Sequence, residues 1–259
     1  MKKKLVLKIG TSTLTAGTKM ISRGKIEDIG RQIMKLRDEY DIVLVSSGAV
    51  ATARQFINLQ NSSNPIVTKQ ALAAIGQPLL MHIYNEVFGD FGIQTAQCLL
   101  TYEDFQNNTS RVNVVNTINE LLINNFVPII NENDTTSVSE IKFGDNDKLS
   151  AHVANLIDAD LLVIASDIDG VYDKNPHIHQ DARLVLELKD IELAKNFIEE
   201  KDSGLGTGGM SSKLQAGNIC KEKNIDVWIV NGGRSNFLID ALDGNNLFTK
   251  ISNKDIYFA

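Results

Sequence analysis

The amino-acid sequence predicts an α/β fold with a mostly parallel sheet covered by helices on both faces. Two observations carry this. Short apolar runs rich in β-branched residues recur along the chain with little polar alternation, which is how strands buried on both faces read. Helical patterns stand between them, and alternating strand and helix packs as right-handed crossovers onto one sheet.

In chain order, Leu5–Ile9 is the first such run. Ser22, a candidate N-cap, precedes Ile26, Ile29, Ile33 and Leu36 at helical spacing. Ile42–Val45 is the second strand, and Ser46-Ser47-Gly48-Ala49-Val50 leads from it into a helix. Asn58–Pro65 reads as a polar loop and Ile66–Phe88 as helical. Ile93–Leu100 reads as a buried strand, Val112–Leu122 as a helix with Val115, Ile118 and Leu122 on one face, and Phe126–Ile130 as a strand. A helix opens near Leu149, followed by a strand at Leu161–Ala165, a polar loop or hairpin at Tyr172–Arg183, a helix at Leu214–Lys223 and a strand at Val227–Val230. No repeat, low-complexity tract or long linker interrupts the series, so one domain over residues 1–259 is expected.

The balance of 26 Lys and Arg against 32 Asp and Glu gives a net charge of −6. That lacks the basic footprint of a nucleic-acid binder. Cys98 and Cys220 are far apart and form no CxxC pair, so neither a disulfide framework nor a cysteine zinc site is expected. The apolar stretch after Lys2-Lys3-Lys4 is broken at Lys8, too early for a signal peptide, and no run reaches the roughly 20 residues of a membrane span. A cytoplasmic protein is expected. His82, His152, His177 and His179 have no ligand spacing, so no metal site is expected from them. Neither a Gly-x-Ser-x-Gly elbow nor the protein-kinase motif set is present.

In open α/β sheets ligands bind beyond the carboxyl ends of the strands, and the chemistry-bearing residues gather there. The first strand ends in Lys8-Ile9-Gly10-Thr11-Ser12. A lysine beside a glycine turn suits a phosphate, although alone it reads equally as a snorkelling lysine before an ordinary turn. Ser47, Gly48 and Ala49 crown a helix N-terminus, an anion site by geometry or a plain cap. Asn131-Glu132-Asn133-Asp134 and Lys142-Phe143-Gly144-Asp145-Asn146-Asp147-Lys148 place amides and carboxylates where they could hold an α-amino group. The latter is not an EF-hand, because no glutamate completes the loop at the required spacing.

Gly204, Gly206 and Gly209 spell G-x-G-x-x-G, but the charged Asn196–Asp202 stretch precedes them where a dinucleotide fingerprint demands an apolar strand. It is no Walker A loop either, since Met210-Ser211-Ser212 separates Gly209 from Lys213. What remains is a glycine-rich loop with a helix-borne lysine, suited to covering polyphosphate, or a structural hairpin that binds nothing.

The order of these clusters, together with Ser166-Asp167-Ile168-Asp169-Gly170-Val171-Tyr172, resembles the amino-acid kinase family from Lys4 to about Gly233. The resemblance is to its glutamate-phosphorylating branch, and it implies a three-layer αβα sandwich. It also implies ATP-dependent phosphorylation of the γ-carboxylate of L-glutamate, the first step of proline biosynthesis, with Mg²⁺ accompanying ATP. Carried onto this chain, Lys8, Lys213 and Asp147 would be catalytic, Asp147 orienting the two lysines. Ser47, Gly48, Asn131, Asp134, Asn146 and Asp147 would bind glutamate. Lys8, Gly10, Ser166, Asp167, Thr207, Gly208, Gly209, Met210, Ser211, Ser212 and Lys213 would bind ATP. The segment Asn231-Gly232-Gly233-Arg234-Ser235 only approximates the family's Asn-Gly-Arg pattern, and the chain is too short for the C-terminal PUA domain of many members.

The resemblance further implies feedback inhibition by proline, coupling to glutamyl-phosphate reductase, and a homodimer or homotetramer assembled through Ile66–Phe88 with Leu72, Ile75, Leu79 and Leu80. Two competing readings share the scaffold: an N-acetylglutamate kinase and a non-catalytic amino-acid sensor.

Overall fold

The structure, a computed structural model, describes residues 2–59, 64–137, 146–176, 178–189, 191 and 209–252. Its elements run β1 (Lys3–Ile9), α1 (Thr11–Thr15), α2 (Arg23–Leu36), β2 (Tyr40–Ser46), α3 (Ala49–Phe56), α4 (Pro65–Gly89), β3 (Gln94–Leu100), α5 (Tyr102–Gln106), α6 (Asn108–Ile123) and β4 (Phe126–Glu132). There follow α7 (Asn146–Leu156), β5 (Leu161–Ser166), β6 (Glu187–Leu188), α8 (Met210–Lys221), β7 (Asp226–Asn231), α9 (Phe237–Leu242) and β8 (Thr249–Ile251). Gly144, Asp145, His177, Thr207, Gly208 and the Asn196–Asp202 stretch lie outside the described residues.

The sheet order is β3-β4-β2-β1-β5-β7-β8-β6. Neighbours pair in parallel except β7 with β8. From β1 the chain moves to β2, out to the edge strand β3 and back to β4 between them, then crosses to pair β5 on the other flank of β1. The carboxyl end of β1 is therefore a topological switch point, where an open parallel sheet leaves a crevice for a ligand.

Successive strand residues point to opposite faces, so the buried runs feed two cores. Leu5, Leu7, Ile9, Leu44, Ile129 and Val163 pack with Ile26, Ile29 and Ile33 of α2 and with Leu80, Tyr84 and Phe88 of α4. Val6, Val43, Val45, Ile130, Leu162 and Ile164 pack with Leu149 and Val153 of α7 and Leu214 of α8. That is a helix–sheet–helix sandwich, as expected. Ser22 caps α2 by accepting from the Lys25 N–H. Asn64 caps α4, with Pro65 in its first turn, where the missing N–H has no partner to lose.

Three expectations need correction. The run Ile93–Leu100 was read as buried on both faces, but β3 is the edge of the sheet and only Leu100 within it is buried. Gln94, Thr95 and Gln97 interrupt the apolar run there, as a strand with an unpaired side allows. Leu72 and Leu80, read as apolar assembly residues, are buried within this chain, while Ile75 and Leu79 are half-buried; α4 spends much of its apolar surface on its own core. The short α1, α5, β6 and β8 were not foreseen. The capping box of Thr101 and Asp104 marks α5, and elements this short carry little periodicity.

Candidate active site

Lys8 is the penultimate residue of β1 and points into the switch-point crevice, 5% exposed. Its Nζ lies 2.5 Å from Asp147 Oδ1. Asp147 is fully buried in the first turn of α7. Its other oxygen, Oδ2, accepts from Lys213 Nζ at 3.1 Å and from Ser212 Oγ at 2.9 Å. Lys213 and Ser212 stand in the first turn of α8, for which Gly209 is the N-cap. Burial alone would push the Asp147 carboxyl up, but the Lys8 and Lys213 ammonium groups hold it well below the usual carboxylate range. The three side chains together are net positive, which suits an anion arriving at the crevice.

One residue earlier on α7, Asn146 knits together the ends of β2 and β4. Its Nδ2 contacts Ser46 O at 3.0 Å, Ser47 Oγ at 3.0 Å and Asn131 Oδ1 at 2.9 Å. Ser47 is tied back to β1 by its N–H, which donates to Ile9 O at 3.0 Å. Gly48 caps α3 at φ +107°, a conformation that side-chain-bearing residues rarely adopt. Asn146 and Asp147, neighbours in sequence, thus face two different clusters.

Asp134 follows β4 and lines a cavity of about 200 Å³ with Gln77, Gln97, Glu132 and Asn133. Burial, followed by the nearby Glu132 charge, raises its carboxyl to about 6, opposed by Lys69. On the far side of β1, Ser166 ends β5, buried, and donates to Asp167 Oδ1 at 3.2 Å. Asp169 gathers Arg234 at 2.6 Å and Asn231 Nδ2 at 3.0 Å. The approximate Asn-Gly-Gly-Arg segment therefore reaches the end of β5. Gly10 caps α1 beside Lys8, and a Cβ there would stand 3.4 Å from the ammonium nitrogen.

The predicted residues thus fall into three adjoining groups: Lys8, Asp147, Ser212 and Lys213 at the centre, Ser47, Gly48, Asn131 and Asn146 on the β2–β4 side, and Ser166 with Asp167 on the β5 side. Asp134 faces the neighbouring cavity. Met210 is half-buried and Ser211 exposed on the first turn of α8. Among the described residues no cluster of His, Cys, Asp and Glu could hold a metal ion, and no helix is long and apolar enough to cross a membrane. Sequence reasoning missed Gln77, Gln97 and Asp169. Gln77 had no distinguishing signal, since the helical run 66–88 carries other polar residues, Gln70 and Asn85 among them.

A model of the amino acid kinase family matches residues 3–231. Among curated relatives, a glutamate 5-kinase of Clostridium acetobutylicum is 43% identical over 94% of this chain and 92% of its own length. One of Clostridium perfringens is 41% identical over 95% of this chain and 94% of its own. A longer one, from Thermoanaerobacter sp., is 42% identical, and the match spans 95% of this chain but 67% of that protein. Among solved structures, UMP kinase from Ureaplasma parvum superposes with a TM-score of 0.66 at 18% identity, over 97% of this chain and 99% of that one. An isopentenyl phosphate kinase gives 0.64 at 18% identity, over 96% and 100%. At such identities the last two speak to the fold alone.

Proposed function

The chain belongs to the amino acid kinase family, and from that premise we propose how its residues serve the transfer of a phosphoryl group from ATP to the γ-carboxylate of L-glutamate. That reaction, the first step of proline biosynthesis, is the one its 40–43% identical relatives are named for. The observation that carries the residue-level reading is the Lys8–Asp147–Lys213 cluster at the switch point, beside the amide cluster of Asn146.

A carboxylate with a pKa near 4.3 is already ionised at neutral pH, so the nucleophile needs no general base. The chain's task is to hold two anions in line and offset their repulsion. Lys8 stabilises the phosphoryl group in flight, Lys213 the charge that develops on the leaving side, and Asp147 fixes both ammonium groups. Gly10, Ser166, Asp167 and the 207–213 segment hold ATP. Mg²⁺ bound with ATP supplies further neutralisation of the phosphates. Both Asp147 oxygens already face ammonium or hydroxyl groups, a donor set that fits a metal carried by phosphate oxygens and water.

Ser47, Gly48, Asn131 and Asn146 bind glutamate, and the Asp134 carboxylate pairs with its α-ammonium. An N-acetylated substrate lacks that charge. ADP release measured with Mg-ATP and either L-glutamate or N-acetylglutamate tests the reading: turnover with glutamate alone supports it, and turnover with N-acetylglutamate alone overturns it. Saturable binding of glutamate with no ADP would instead restore the sensor reading.

Asp134 also sets a pH dependence. With its carboxyl raised to about 6, the group protonates as pH falls below that value and loses its attraction for an ammonium ion. The KM for glutamate is expected to be flat above pH 7 and to rise by up to about tenfold per pH unit below 6. In Asp134→Asn the KM should be high and level across the range. A wild-type KM unchanged from pH 7 to 5 would remove Asp134 from this role.

The oligomeric state, proline inhibition and reductase coupling belong to the same proposal. Light scattering on the purified protein tests the first, and a monomer would count against it.

A further inference from the structure

We propose that Arg234 is a further binding residue for ATP, a cation for the phosphates that stay with ADP, held in place by buried polar side chains of α2. The inference rests on ATP being the phosphoryl donor.

The turn that carries Arg234 leaves β7 level with the β5 residue already given to ATP. Asn231 pairs in register with Ser166, and the Gly232 N–H donates to Ser166 O at 2.8 Å. From that turn the Arg234 guanidinium reaches Asp169 Oδ1 at 2.6 Å. Asn231 Nδ2 donates to the same oxygen at 3.0 Å, and the Tyr172 hydroxyl approaches the other at 3.4 Å. The Arg234 side chain is 51% exposed and has no further hydrogen-bond or ion-pair partner among the described residues. A guanidinium carries five N–H donors in a planar fork, so one edge rests on Asp169 while the remaining donors face an arriving anion. Without it, a polyphosphate at the end of β5 would meet the carboxylates of Asp167 and Asp169, and like charges repel.

The turn is not left to hold itself. Lys25 Nζ donates to Gly233 O at 3.2 Å and to Arg234 O at 3.0 Å. Asp28 Oδ1 accepts from the Asn236 N–H at 3.2 Å, and Gln32 Oε1 from the Leu238 N–H at 2.8 Å and the Ile239 N–H at 3.3 Å. All three α2 side chains are buried. They do for α9 what its own N-cap does not, since the Asn236 side chain makes no capping bond. Burying an ammonium and a carboxylate is costly, and apolar packing of the same volume is often at least as stable. An exposed ion pair such as Arg234 with Asp169 adds little to the fold. Stability therefore does not account for a buried support beneath one exposed cation, and ligand binding does.

Position decides which phosphates it meets. β5 lies between β1 and β7, so the turn leaves the sheet two strand spacings, about 10 Å, from the strand of Lys8. Lys8 serves the phosphoryl group in transfer, and Arg234 serves the phosphates behind it.

Steady-state kinetics test this. Arg234→Met is expected to raise the KM for ATP and the inhibition constant of ADP by the same factor, about tenfold, the lower end for a hydrogen bond to a charged group. Its kcat and its KM for glutamate should stay within about twofold of wild type, since the contact is the same before and during transfer. Arg234→Lys keeps the charge without the fork and should fall between. In Lys25→Met, Asp28 keeps its ion pair with Arg31 at 2.5 Å. That variant should raise the KM for ATP by less, and should add nothing to Arg234→Met when the two are combined. An unchanged KM for ATP in Arg234→Met, an equal rise for glutamate, or an ADP constant that does not follow would each overturn the proposal while leaving the assigned reaction standing. Full additivity of Lys25→Met and Arg234→Met would overturn the part given to α2. A wild-type chain that phosphorylates glutamate from another donor and not from ATP would overturn the assigned reaction, and the proposal with it.

Discussion

Lys8→Ala is expected to lower kcat with glutamate and Mg-ATP by about 10²–10³, the usual cost of removing one oriented donor to developing charge. Lys213→Ala should fall in the same range. Both expectations follow from one geometry. Each ammonium is buried and held on one Asp147 oxygen, Lys8 at 2.5 Å and Lys213 at 3.1 Å. Neither has to reorganise when charge moves along the line of transfer. Removing one lysine leaves Asp147 paired with the other, so the fold is spared the full penalty, about 3–5 kcal/mol, of a buried charge that has lost its partner. The loss should therefore appear in kcat more than in stability. A kcat within a few-fold of wild type for either variant, with folding intact by circular dichroism, would contradict the roles assigned to the two lysines.

Much of this centre was legible in the sequence because each part sits at a punctuation mark: Lys8 before a glycine, Asn146 and Asp147 in a polar cluster opening a helix, Lys213 after a glycine-rich stretch. What brings them together is long-range. Asp147 is 139 positions from Lys8 and 66 from Lys213 in the numbering, and only the crossover from β4 back to β5 beside β1 makes them neighbours. The resemblance to a family supplied the pairing; spacing alone would not have. Edge placement was partly legible: β3 carries Gln94, Thr95 and Gln97 opposite Phe126, Val127 and Ile129 of β4, and polar residues of this kind are tolerated where one side of a strand is left unpaired. Gln77 was passed over because a polar residue within a helix reads as a solvated face until the partners of its amide are known.

The second large effect is on stability. Gly76→Val is expected to destabilise the protein by about 3 kcal/mol, near the upper end of overpacking costs, or roughly 6–12 °C in the thermal midpoint. A Cβ at Gly76 would overlap the Ala49 carbonyl and stand 2.9 Å from the Ala53 N. These are backbone atoms of α3, so no side chain can swing aside to relieve the clash. The crossing of α3 and α4 depends on that glycine, and Ala49 directly follows the predicted glutamate-binding pair Ser47 and Gly48. The surviving activity should accordingly show a raised KM for glutamate with the KM for ATP little changed. Gly76→Ala should move both quantities in the same direction by less. A midpoint for Gly76→Val within about 2 °C of wild type, less than a 1 kcal/mol change, would show that the two helices are not in close backbone contact.

The central claim is that the γ-carboxylate itself attacks ATP, with the lysine cluster in place of a base. It is tested most directly by following oxygen. L-Glutamate carrying ¹⁸O in its γ-carboxylate is turned over with Mg-ATP in the presence of hydroxylamine, which intercepts the acyl phosphate at carbon and expels phosphate. The predicted result is γ-glutamyl hydroxamate together with inorganic phosphate bearing one labelled oxygen, because the bridging atom comes from the substrate. Unlabelled phosphate without hydroxamate would mean that water, not the carboxylate, takes the phosphoryl group, and the account of this site would be contradicted.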